Sequence, residues 1–95
     1  MSITIVAILI AQEGCESKLN DLCINVIEPT LKEEGSLNYH LYIDQDNPKR
    51  FTFIEEWKSK EDLEKHLSTS YIQDLFFHLK DLIESSEIIH LSKIK

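Results

Sequence analysis

Basic charge is scarce in this sequence: ten lysines and arginines stand against seventeen acidic residues, for a net charge of −7. That balance argues against nucleic-acid binding, which needs a basic patch to neutralise phosphates. Lys49-Arg50 is the one adjacent basic pair, and it falls in an expected turn, where charged residues meet solvent. Glycine is scarce as well, with two residues in the chain, so there is no glycine-rich loop to cradle phosphates. No spacing of His, Cys and carboxylate residues follows a zinc pattern, and no nucleophile elbow marks a Ser-His-Asp hydrolase. The two cysteines, Cys15 and Cys23, lie on one expected helix at a separation of about 12 Å along its axis, beyond disulfide reach. Both read as small packing residues, Cys15 partly exposed near the helix start. Long apolar runs are missing too. The segment Ser2 to Ala11 is about half the length of a membrane-spanning helix, and it lacks the basic start and cleavage site of a signal peptide. It reads as a strand, and the protein as cytoplasmic.

The chain of 95 residues is sized for a single domain spanning 1–95. A domain this small is marginal alone, so oligomerisation is expected. Ile3 to Ile10 is a β-branched run, apolar at odd and even positions alike apart from Thr4 and Ala7; such a strand is covered on both faces. After the turn Gln12-Glu13-Gly14, the apolar positions Leu19, Leu22, Cys23, Val26, Ile27 and Leu31 have helical spacing. Pro29 should break the last turn and Gly35 should end it. Leu37, Tyr39, Leu41 and Ile43 alternate with polar neighbours as a strand, Asp44 to Pro48 is turn chemistry, and Phe51 to Trp57 returns. Ser59-Lys60-Glu61-Asp62 opens a helix as a cap. Ser68-Thr69-Ser70 interrupts that helix, which resumes through Ile72, Leu75, Phe76, Leu79, Leu82 and Ile83, and Glu87 to Ile94 is the last strand. The order β-α-β-β-α-β predicts an α+β fold of ferredoxin-like type, an antiparallel four-stranded sheet with both helices on one face. The other sheet face also needs cover, and a homodimer with sheet facing sheet supplies it.

Matching the apolar sides of the hairpin pairs Ile43 with Phe51, Tyr39 with Glu55 and Leu37 with Trp57. This leaves Glu55 among aromatic and aliphatic side chains, where a carboxylate must be paired, hydrogen-bonded or neutral. Tyr39 is one candidate partner. His66 is another: from the helix start it travels about 9 Å back along the sheet, to the level of Glu55. Tyr39, Glu55, Trp57 and His66 can thus line one pocket between helices and sheet. The same contacts also read as a clamp that ties helix to sheet, the commoner role of such a pair. His40, His78 and His90 carry no chemical signal.

At these residues the sequence resembles a known family. Glu34-Gly35-Ser36-Leu37-Asn38-Tyr39-His40-Leu41, then Asn47-Pro48, Phe51-x-x-x-Glu55-x-Trp57 and His66-Leu67 look like the antibiotic biosynthesis monooxygenase domain, whose members include proteins described as quinol monooxygenases. The resemblance covers nearly the whole chain. It implies a dimeric α/β barrel and oxygenation of an electron-rich aromatic, a quinol or anthrone, by dioxygen with no metal or flavin cofactor. His66 is then the implied base or hydrogen-bond donor, with Glu55 orienting it or Tyr39, and Trp57, Phe53 and Phe76 wall the slot. Many relatives carry a second histidine a few residues after the first, where this chain reads Ser70-Tyr71. Tyr71 can supply a hydrogen bond there but is a poor base near neutral pH. Haem-degrading relatives share the Trp57 and His66 pattern but use an asparagine in the first strand, where this chain has Thr4. The fold also hosts isomerases of small signalling sugars and non-catalytic dimeric binding or stress-response domains. Quinol turnover, as against saturable binding without oxygen uptake, separates these readings.

Overall fold

In the computed structural model, which describes residues 2–95, four strands form one antiparallel sheet in the order β2-β3-β1-β4. The strands are β1 (Ile3–Ala11), β2 (Ser36–Ile43), β3 (Arg50–Trp57) and β4 (Ile83–Leu91). The helical segments are α1 (Glu16–Asn25), α2 (Ile27–Leu31), α3 (Lys60–Leu67) and α4 (Ser70–Leu79). The expected ferredoxin-like order holds, with each of the two helices divided in two.

The first division falls at Val26, three residues before Pro29. Proline has no N–H to give the carbonyl four residues back and its ring clashes with that carbonyl, which here belongs to Asn25, the last residue of α1. The break therefore precedes Pro29, and the proline sits in the first turn of α2, where it is tolerated. Gly35 does not end the helix in a left-handed turn, since Gly14 is the glycine with positive φ. Its role is close approach. A Cβ on Gly35 would lie 2.2 Å from the Cβ of Asp62, so the entry to β2 can press against the start of α3 only without a side chain. That start is capped as expected: the Ser59 hydroxyl accepts from the Asp62 N–H at 3.2 Å and donates to the Asp62 carboxylate at 2.8 Å. At the other end of α3 the Thr69 hydroxyl donates to the His66 carbonyl at 2.7 Å, which closes the helix and turns the chain into α4.

The hairpin register is Ile43 with Phe51, Leu41 with Phe53 and Tyr39 with Glu55, as predicted. It shifts at the next step. Ser36 faces Trp57, and Leu37 is left in a bulge, half exposed. The last strand also differs from expectation. It begins at Ile83 rather than Glu87, and α4 ends at Leu79, so Leu82 is buried in the turn. Glu84, Ser85 and Ser86 are exposed on this edge strand, and a polar edge hides its strand character from a hydrophobicity reading.

Odd-numbered β1 residues face the helices and are the more buried: Ile5, Leu9 and Ala11 join Phe51, Phe53, Trp57, Leu19, Cys23, Ile72 and Leu75 in one core. The opposite sheet face carries Val6 with its cross-strand neighbours Ile54 and Ile89, and Ile8 between Thr52 and Glu87; these four apolar residues remain partly exposed. Cys23 is fully buried, and burial pushes its thiol up to about 12. Among the described residues no helix is long and apolar enough to cross a membrane.

Candidate active site

The sheet's helix-facing side is a grid that the strand registers define. One row across the four strands reads Tyr39, Glu55, Ile5, His90; the next reads Leu41, Phe53, Ala7, Ile88. A third reads Ile43, Phe51, Leu9, Ser86. Ala7, flanked by Phe53 and Ile88, leaves space in the middle of this floor. Above it α3 contributes Leu63, His66 and Leu67, and α4 contributes Ile72, Leu75, Phe76 and Leu79. Between floor and roof lies a cavity of about 400 Å³, the size of a pocket for a small organic molecule. Its walls are apolar except for Tyr39, Glu55 and His66 at one end and Ser86 and His90 toward the β4 edge. Thr4, the polar residue within β1, pairs with Glu56 and Leu91 in a row on the opposite face, away from the cavity.

His66 follows Leu63 by three positions, so both fall on the buried face of α3. Its side chain is 3% exposed. The imidazole lies over Trp57, ring centroids 4.5 Å apart, and meets the Tyr39 ring edge-on at 5.3 Å. Its polar partner is Glu33, whose Oε2 lies 2.8 Å from Nδ1. The Tyr71 hydroxyl, from the first turn of α4, donates to the same Oε2. Glu55 does not reach His66; it accepts from the Trp57 indole N–H at 2.8 Å. The expected cluster of Tyr39, Glu55, Trp57 and His66 is thus assembled, but the carboxylate bonded to the histidine is Glu33.

The other wall residues divide. Phe53 and Phe76 line the cavity, Phe76 at its exposed margin. Trp57 is fully buried behind Glu55 and does not line it, and Tyr71 stands outside, bonded to Glu33. Sequence reasoning missed Glu33 altogether. The one available signal was a pair of acidic residues, Glu33-Glu34, just past a helix C-terminus, where the helix dipole disfavours negative charge. Ala7 stood out in the sequence as a small residue in a run of Ile, Val and Leu, but not as the floor of a cavity.

Burial sets the electrostatics. Desolvation raises the Glu55 carboxyl above the usual carboxylate range; the Trp57 N–H opposes this, and the nearby Glu33 charge adds to it. Desolvation lowers the His66 imidazole below 6.5, against the pull of Glu33, so the ring is neutral near pH 7. The Tyr39 phenol is raised by burial, then by the Glu55 charge, and stays protonated. The Tyr71 phenol is also raised, by desolvation and by its bond to Glu33. The cavity end therefore holds a neutral base, a carboxyl more basic than usual and a neutral phenol, three groups able to accept or donate a proton beside an apolar slot.

A ferredoxin-like sheet roofed by broken helices, with an apolar cavity and a histidine–carboxyl end, defines the class of molecule. The antibiotic biosynthesis monooxygenase family profile matches residues 2–76, and the chain belongs to that family. It is 31% identical to an uncharacterized protein of Synechocystis sp. over 68 residues, which is 72% of this chain and 46% of that protein; the chain thus spans about half the length of that curated relative. Among solved structures, a conserved protein of Methanosarcina mazei Go1 superposes with a TM-score of 0.91 at 31% identity, covering 98% of this chain and 93% of that one. A protein of Shewanella oneidensis superposes with a TM-score of 0.94 at 27% identity, covering 97% and 90%.

Proposed function

We propose that this member of the monooxygenase family is a cofactor-independent enzyme that oxygenates an electron-rich aromatic, of quinol or anthrone type, with dioxygen. The observation that carries the reading is the convergence of His66, Glu55 and Tyr39 on one end of an apolar cavity of about 400 Å³. A neutral quinol or anthrone is a poor electron donor to dioxygen, whereas its anion is a good one. His66, neutral and buried, takes the proton, and the Tyr39 hydroxyl hydrogen-bonds the oxyanion. The anion passes one electron to dioxygen, and recombination of the two radicals forms a C–O bond as a peroxide. Cleavage of the peroxide O–O bond then leaves one oxygen on the substrate as a carbonyl, while the other departs as water with the two hydrogens the substrate lost. Dioxygen accepts all four electrons, so no external reductant is needed.

Phe53 and Phe76 flank the aromatic plane, and Trp57 supports the site from behind by fixing Glu55 and stacking on His66. Family membership and the partly exposed Val6, Ile8, Ile54 and Ile89 support a homodimer closed through the sheet face. The test is oxygen uptake with a panel of quinols and anthrones in a metal-chelated buffer, wild type against His66→Ala. Uptake that depends on His66 supports the enzyme. Saturable binding without uptake would make the domain a small-molecule binder.

A further inference from the structure

Glu33 is separated from His66 by 33 positions and reaches it only through the fold: the chain leaves α2, and Glu33 N–H bonds back to the Thr30 carbonyl at 3.0 Å before the entry to β2. We propose that Glu33 is a positioning residue that fixes His66 as its Nδ1–H tautomer, leaving Nε2 as the basic nitrogen, and that Tyr71 holds Glu33 for that task. What Nε2 does to a substrate rests on the function proposed above; the tautomer follows from the contacts alone.

One carboxylate oxygen, Oε2, serves both neighbours: the Tyr71 hydroxyl donates to it, and the His66 Nδ1 lies 2.8 Å away. An ionised carboxylate only accepts, so the ring nitrogen beside it must carry the hydrogen. A neutral imidazole has one N–H, and the bond at one nitrogen sets the state of the other. Nε2 therefore keeps its lone pair. The ring is also held in place. Trp57 covers one face at 4.5 Å and Tyr39 stands edge-on at 5.3 Å, so the imidazole cannot turn to exchange its two nitrogens without displacing them. When Nε2 takes a proton, the Nδ1–H···Glu33 contact becomes a charge-assisted bond. It then stabilises the cation where the surrounding Leu63, Trp57 and Tyr39 provide no counter-charge. Tyr71 shares the same oxygen, which anchors the carboxylate and draws on part of its charge.

The experiment is ring-nitrogen NMR on uniformly ¹⁵N-labelled protein, above the His66 pKa, for wild type, Glu33→Ala, Glu33→Gln and Tyr71→Phe. Wild type is expected to show a protonated Nδ1 and a bare Nε2. Glu33→Ala is expected to move His66 toward the Nε2–H form, and Glu33→Gln, whose carbonyl oxygen accepts the same bonds, to retain Nδ1–H. Tyr71→Phe is expected to keep the tautomer and raise the His66 pKa, because Glu33 is no longer shared; an unchanged pKa removes Tyr71 from the proposal. A wild-type protein in the Nε2–H form overturns it outright, whether or not any variant folds, as does Glu33→Ala with Nδ1–H unchanged. In a protein that turns over a quinol, Glu33→Ala is expected to lower kcat at least about tenfold with KM nearly unchanged. If the wild type has the expected tautomer but consumes no oxygen, the proposed function fails and the positioning role stands.

Discussion

His66 and Glu55 are polar residues in the core, 2% and 7% exposed as whole residues, and each is tolerated because a specific partner meets it. The Glu33 carboxylate satisfies the imidazole and the Trp57 N–H satisfies Glu55. Removing either partner strands a buried polar group, at a cost of about 1–3 kcal/mol. Trp57→Phe should thus destabilise the protein by about that amount in urea denaturation and push the Glu55 pKa higher still. The sign of the His66 pH dependence follows from its depressed pKa. Below the ordinary value of 6.5 the unfolded chain takes a proton that the folded chain refuses, so stability is full above 6.5 and declines as pH falls toward the folded-state pKa. Urea midpoints of wild type and His66→Gln between pH 7 and 5 should diverge in slope in that direction. The same depression keeps the base unprotonated, so the acid limb of kcat/KM should lie below 6.5. Of these residues, His66, Glu55 and Tyr39 were legible from the sequence because hairpin register and helix rise are simple periodicities. Glu33 was not, since its place depends on where a loop between α2 and β2 comes to rest.

At the scale of elements, the cavity depends on a small residue in β1 and a close approach of β2 to α3. The alternation of β2 and the helical spacing of α3 and α4 could be read directly. The bulge at Leu37 and the early start of β4 could not, because a bulge breaks the period of two and an exposed edge strand has no apolar alternation to detect. Two substitutions test the construction. Ala7→Leu projects into the cavity between Phe53 and Ile88, where added apolar volume commonly contributes about 0.5–2 kcal/mol. Thermal stability should hold or rise while oxygen uptake falls. Gly35→Ala places a Cβ within 2.2 Å of Asp62 and forces α3 away from β2. Such overpacking costs about 1–3 kcal/mol, and the variant should show a lower urea midpoint and a shifted His66 resonance.

For the molecule as a whole, one face of the sheet is buried under helices and the other carries an apolar row, Val6 with Ile54 and Ile89, flanked by Ile8 and in contact with solvent. Strand β1 reads as apolar on both sides, and the proposed second copy over Val6, Ile8, Ile54 and Ile89 would account for its composition. Light scattering should find a dimer, and Val6→Lys combined with Ile54→Lys should yield monomers, since two charges in a closed sheet interface would be desolvated without partners. The helix-covered half of the molecule makes the more demanding claim, that its cavity performs chemistry rather than only filling space. The most direct measurement is oxygen uptake with a quinol panel in chelated buffer, run on wild type and His66→Ala with circular dichroism to show both are folded. The proposed function predicts saturable uptake by the wild type with at least one quinol or anthrone, falling about a hundredfold or more when the base is removed. Equal uptake by folded His66→Ala, or none by the wild type across the panel, would contradict it.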